Sequence, residues 1–209
     1  DSGLDAPGYS FELVGRPNDV DLPDAVTLVQ MTFPLTALQE ENIASFVSQA
    51  RGFAELLPFA SGYCGPALLS SEFHRGQAFK EIRVLAAHHP GYDVQLNNTT
   101  RIDIGIRVRG ARWIVFLGPE LVDRLGGAGM LTRRLPEPVM VESIKSGVMI
   151  KAGEFPEIGD TNKRAGAPLL RLVAKVLESV TIFGEVDLLS NLANFDEEAL
   201  RRWERRFLD

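Results

Sequence analysis

The sequence predicts an α+β protein of two β-β-α-β-α-like halves, with mainly antiparallel or mixed sheet covered by helices. Three observations predict it. Short β-branched apolar runs come in adjacent pairs, as sequential hairpins do. Segments with apolar residues at three- and four-residue spacing stand between them, as amphipathic helices do. The 209 residues are 45% hydrophobic and 24% charged, and a chain of that size buries roughly 70% of its extended surface without disulfide or metal support. The expected organisation is a single α+β domain over residues 1–209, divisible into lobes of about 1–100 and 101–209.

Residues 9–14 read as a short strand inside an acidic lead-in that runs to Asp24. Residues 26–33 read as a second strand, stopped by Pro34. Thr36-Ala37-Leu38-Gln39 has the capping-box pattern, in which hydroxyl and amide side chains satisfy free backbone groups at a helix start. Ile43, Phe46, Val47, Ala50, Ala54 and Leu57 follow at helical spacing, so a helix is expected over 36–57. Residues 63–69 read as one strand containing Gly65-Pro66. Residues 77–88 read as a helix closed by Pro90-Gly91, and the polar, Asn-rich stretch 92–100 as loop.

Residues 102–108 and 112–117 read as strands around Arg109-Gly110. Pro119 opens a helix at the first position, where its missing amide hydrogen costs nothing. Gly126-Gly127 ends that helix, because glycine takes the positive φ of a terminus. Val139–Ile144 and residues 148–152 form a hairpin around Lys145-Ser146-Gly147. Pro168 opens a helix with Leu169, Leu172, Val173, Val176 and Val180 on one face. The tail 196–208 reads as a last helix: Asp196, Glu197 and Glu198 lie at its start and Arg201, Arg202, Arg205 and Arg206 towards its end, matching the helix dipole.

Net charge is −6 and the pI near 5.2. Up to residue 24, Asp1, Asp5, Glu12, Asp19, Asp21 and Asp24 face only Arg16. Phosphate-backbone binding needs excess Lys and Arg, so nucleic acid is not an expected ligand. No run approaches the roughly 20 apolar residues of a membrane span, and none is expected. The only cysteine, Cys64, excludes a disulfide scaffold and fits a reducing compartment. The expected location is the cytoplasm, or the periplasm if an N-terminal signal was removed, since the sequence does not begin with Met.

The residues offer little chemistry. Cys64 with His74, His88 or His89 is the one nucleophile–base combination, and it defines the alternative reading, a small cysteine-dependent hydrolase or transferase. A lone cysteine in an apolar strand is more commonly a small core residue. Glu72 with His74, and His88-His89, lack the spacing of a metal motif. Gly126-Gly127-Ala128-Gly129 follows a helix, whereas a phosphate loop follows a strand. No carboxylate pair stands out as acid and base. No catalytic residue, metal or cofactor is expected.

Four segments in order carry a resemblance. These are Gly62-Tyr63-Cys64-Gly65-Pro66-Ala67, His89-Pro90-Gly91-Tyr92-Asp93, residues 110–127 with Trp113, Leu117-Gly118-Pro119 and Leu125-Gly126-Gly127, and residues 152–160 with Gly153-Glu154-Phe155-Pro156-Glu157-Ile158-Gly159-Asp160. Together they resemble the bacterial type VI secretion immunity family, once known only as a domain of unknown function. The resemblance implies an effector–immunity partner: a non-catalytic protein that binds and neutralises a cognate antibacterial toxin, in some related systems a nuclease. It implies inhibition either by plugging the active site or by holding the toxin elsewhere. Trp113, Gly118, Gly126, Gly127, Pro156, Gly159 and Asp160 then read as structural residues. A toxin acting on nucleic acid carries a basic cleft, which favours carboxylates on its inhibitor. Asp19, Asp21 and Asp24, with Glu142 on a strand edge, are the candidate toxin-binding residues.

Overall fold

The computed structural model describes residues 8–18, 20–69, 75–94, 97–184 and 197–209. Its first part contains strands β1 (Ser10–Val14) and β2 (Leu28–Thr32), helix α1 (Glu40–Leu56), strands β3 (Ser61–Cys64) and β4 (Ala67–Leu68), helix α2 (Arg75–His88), strand β5 (Asp93–Val94) and helix α3 (Asn97–Asp103). There follow β6 (Ile114–Leu117), α4 (Pro119–Arg124), α5 (Ala128–Arg134), β7 (Val139–Ile144), β8 (Gly147–Ala152), α6 (Pro168–Leu177) and α7 (Glu197–Glu204).

The central sheet is antiparallel with strand order β3-β6-β8-β7. It takes β3 from the first hundred residues and three strands from the rest. β6 is apolar and buried at every position, the pattern of a strand covered on both faces. Its side chains alternate between those faces. Ile114 and Phe116 pack with Met149, Ile144 and Trp113 against Ile43 and Ala54 of α1. Val115 and Leu117 pack with Ile150 against Leu121 of α4, Leu131 of α5, and Val173 and Leu177 of α6. Helices therefore cover both sides, and the α+β class follows from this alternation. A separate antiparallel ribbon joins β1 to β2, and β4 pairs with β5 in parallel.

Several elements depart from the sequence expectation. The capping box at Thr36 is not formed. Leu35–Leu38 make a 3-10 turn, extended Gln39 precedes α1 without a side-chain cap, and the Thr36 carbonyl accepts Asn42 Nδ2 at 2.9 Å. The helix starts at Glu40, with Glu40 and Glu41 in its first turn, where negative charge suits the dipole. The strand expected over 63–69 is broken at Gly65-Pro66, and its two ends join different sheets. The loop expected over 92–100 holds β5 and the start of α3. The strand expected over 102–108 is absent: Ile102 and Asp103 form the last residues of α3, Gly105 turns the chain with φ +49, and Val108 makes only a bridge to Thr181. Beyond Gly126-Gly127 lies α5, with Gly127 as its N-terminal flank at φ 88. No described helix is long and apolar enough to cross a membrane.

Candidate functional site

The most concentrated chemistry is a buried charge cluster beneath the central sheet's edge. Asp93 of β5 is buried. Its Oδ1 accepts Arg112 Nη2 at 2.7 Å and its Oδ2 accepts Arg109 Nη1 at 3.3 Å. Arg109 also donates to Tyr63 Oη at 2.9 Å and to the Val94 carbonyl at 2.8 Å. The Arg112 guanidinium lies 5.4 Å from the Tyr63 ring centroid. Burial by itself raises the Asp93 carboxyl, but the two guanidinium groups outweigh it and hold it at about 2. Burial also raises the Tyr63 hydroxyl. Arg206 donates to the Pro90 carbonyl at 2.8 Å and stacks 3.8 Å over the Trp203 ring; burial, and then neighbouring Arg112, push it well below the usual arginine range. A buried ion pair of this kind is costly to split, because the surviving charge has no solvent to turn to. Here it fixes β3, β5 and the approach to β6 in one arrangement.

The segments flanking this cluster hold one another. Trp113 Nε1 donates to the Gly153 carbonyl at 3.2 Å, and its ring stacks on Phe46 at 6.1 Å. Glu157 Oε2 accepts the amides of Leu169 and Leu170 at 2.8 and 3.2 Å, capping α6 from a distant loop because Ala167 has no side chain to do so. Gly91 donates to the Ile158 carbonyl at 2.7 Å; a Cβ at Gly91 would lie 1.9 Å from the Glu157 carbonyl oxygen. Asp160 Oδ1 accepts the amides of Asn162 and Lys163. His89 Nδ1 donates to the Gly159 carbonyl at 2.8 Å, and His88 Nδ1 lies 3.4 Å from Thr161 Oγ1. The four segments singled out in the sequence thus meet in space as an architectural hub.

Above this hub, between the β1–β2 ribbon, α1 and β3, lies a cleft of about 1220 Å³. Leu13, Val29, Met31 and Phe33 line it from the ribbon, and Phe53 and Leu57 from α1; it reaches down to Asp93 and Arg109. Cys64 is on its wall. Burial pushes that thiol up to about 12, away from the thiolate form that nucleophilic catalysis uses. His74 lies outside the described residues, and His88 and His89 face the 159–161 turn. Among the described residues no group of three or more His, Cys, Asp or Glu is placed to hold a metal ion. The arrangement offers apolar contact and fixed charge, the means of binding.

A family model described as TsiV, type VI immunity for VRR-NUC, matches residues 1–207. The chain belongs to the TsiV family. A solved structure described as the Pseudomonas aeruginosa T6SS protein PA0821 is similar in fold, with a TM-score of 0.80 at 22% identity. The match covers 99% of this chain and 60% of that one, so the TsiV chain spans about three-fifths of that protein's length. No curated protein matches it.

Within this TsiV chain the acidic candidates are dispersed. Asp19 lies outside the described residues. Asp21 and Asp24 are exposed on the segment entering β2; Asp24 Oδ2 is 3.4 Å from Arg107 Nη2, and its carbonyl accepts the Gly105 amide. Glu142 sits in another sheet, on edge strand β7, bound to Arg51 of α1 at 2.7 Å. Sequence reasoning did not single out Asp93, Arg109, Arg112 or Glu157 as a network. One signal was available: Arg112 directly precedes Trp113 and the wholly buried β6, and a charge at the mouth of such a strand needs a partner.

Proposed function

We propose that this chain is an immunity protein that neutralises a VRR-NUC nuclease toxin by binding it, with no chemistry of its own. The observation that carries the proposal is the match of a type VI immunity family over residues 1–207. The raised Cys64 thiol supports a non-catalytic role over the cysteine-enzyme alternative. The buried Asp93 cluster then serves to hold the scaffold rigid, which limits the entropy lost when a partner docks.

The toxin must bind polyanionic DNA through a cationic face, and direct cover of that face by an acidic inhibitor is the mechanism we favour. Asp19, Asp21 and Asp24 supply the long-range attraction, and Glu142 a more distant carboxylate. A nuclease is harmful where DNA is, so the encounter belongs to the cytoplasm. The test is co-expression with a cognate VRR-NUC nuclease in a sensitive strain. Growth rescue and co-purification of the two chains support the proposal; continued toxicity with no complex overturns it.

A further inference from the structure

We infer that the buried Arg112–Arg206 pair, together with the Trp203 indole, forms a site for one small monovalent anion of the halide class, chloride being its physiological member. The site lies between the turn at residues 90–93 and α7, apart from the apolar cleft, and it does not depend on which toxin the chain meets.

Bonds to that turn bring the two guanidinium groups together. Arg112 Nη2 donates to Asp93 Oδ1 at 2.7 Å, and Arg206 Nε donates to the Pro90 carbonyl at 2.8 Å. Arg112 Nη1 is taken by the Ala111 carbonyl and Arg206 Nη1 by the Trp203 carbonyl, each at 2.8 Å. Among the described residues, Arg112 Nε, Arg206 Nη2 and Trp203 Nε1 are buried and meet no acceptor. The Trp203 ring lies under Arg206, with the guanidinium carbon 3.8 Å from its centroid. Arg112 is 4% exposed and Trp203 9%, so bulk solvent does not serve these donors. A buried donor left unpaired costs its full desolvation, and native proteins leave few of them. Three in one cluster point to an acceptor that is not a protein group.

The charge of the cluster gives the class of that acceptor. Asp93 is already shared between Arg109 and Arg112, and Glu204 accepts the Gly184 amide at 3.0 Å. Asp93 and Glu204 are the carboxylates that act most strongly on Arg206, against Arg112 and Arg109. Three guanidinium groups thus face two carboxylates. Arginine does not relieve its burial by giving up a proton, and an uncompensated buried charge is expensive. One negative charge balances the cluster. The cost of stripping water from an ion climbs steeply with its charge, so an enclosed site of N–H donors favours a monovalent, weakly hydrated anion over sulfate or phosphate. Bound there, the ion ties Arg112, at the mouth of β6, to α7 and clamps the C-terminal helix onto the hub.

The experiment is thermal melting of the full chain in sodium gluconate, with chloride replacing gluconate at constant ionic strength. The melting temperature is expected to rise and then saturate, the folding constant gaining about 100-fold when chloride stands about 100-fold above its Kd. Bromide should act as chloride does, and in crystals grown with bromide its anomalous signal should lie against Arg112 and Arg206. Trp203→Phe keeps a ring under Arg206 and loses one N–H, so it should raise the chloride midpoint about tenfold. Arg206→Met should abolish the chloride response. A parent melt indifferent to chloride overturns the inference, as does one that climbs without saturating and climbs further in sulfate. A chloride response unchanged in both variants, or bromide bound only elsewhere, overturns it equally. If Arg206→Met does not fold, Trp203→Phe and the bromide position decide the matter.

Discussion

Replacing Trp113 by alanine tests how the fold is tied together. The side chain is 2% exposed and sits where the sheet meets α1, stacked on Phe46 and hydrogen-bonded to the Gly153 carbonyl. A buried indole hides about 200 Å², which at about 25 cal/mol per Å² is about 5 kcal/mol as an upper figure. The lost hydrogen bond adds about 1 kcal/mol, and partial collapse of the cavity returns some of the total. The expected cost is about 3–5 kcal/mol. For a domain of this size that lowers the melting temperature by roughly 6–20 °C. Trp113→Phe keeps a ring against Phe46 and loses the N–H, so it should cost about 1–2 kcal/mol. Thermal melts by circular dichroism, checked by urea unfolding, separate the two variants. An alanine variant that melts within about 1 °C of the parent would refute the packing described here.

Asp93→Asn leaves Arg109 and Arg112 buried without their counter-charge and should cost about 3–5 kcal/mol by urea unfolding. Because the folded carboxyl titrates at about 2 and an unfolded one near about 3.9, its contribution is whole above that range and is lost as pH falls towards 2. The variant's stability should therefore change less between about pH 5 and pH 2 than the parent's. Gly118→Ala and Gly127→Ala should differ in kind: a Cβ at Gly118 would lie 2.4 Å from the Phe59 carbonyl oxygen, whereas Gly127 has φ +88 and open space. Backbone strain alone should cost the second about 1–2 kcal/mol, and thermal melts should show a larger loss for the first. Neutralising Asp19, Asp21 and Asp24 to Asn should slow nuclease association and flatten its salt dependence without moving the melting temperature; stopped-flow rates unchanged at low salt would remove these residues from the encounter surface.

Elements whose signals are local were legible in the sequence. The β7–β8 hairpin declares itself by two β-branched runs around a Gly147 turn, and α4 and α6 by a proline at the first position followed by a periodic apolar face. Elements fixed by distant partners were not. α3 is polar and Asn-rich, and β5 is two residues long; β5 exists because the Pro66 carbonyl accepts the Asp93 amide and Arg109 and Arg112 hold its carboxylate. The Gly126-Gly127 pair reads as an ending, yet it also begins α5, since two positive-φ residues can turn one helix directly into the next. The same limit applied to the site. Asp93 lies 16 and 19 residues from its two arginines, a separation without a motif, and the apolar cleft depends on how the ribbon lies beside α1. The outward alternation of Tyr9, Phe11 and Leu13 was present in the sequence, but only the structure shows which side of that strand faces water.

The most direct test of the central claim is a titration of a purified cognate VRR-NUC nuclease during digestion of plasmid DNA. Adding this chain should abolish cleavage with a break at a fixed stoichiometric ratio, and Cys64→Ala should inhibit as well as the parent, as the proposed inhibition by binding requires. Cleavage that continues at a tenfold-order molar excess of the folded chain, or inhibition that disappears with the Cys64 thiol, would contradict the account.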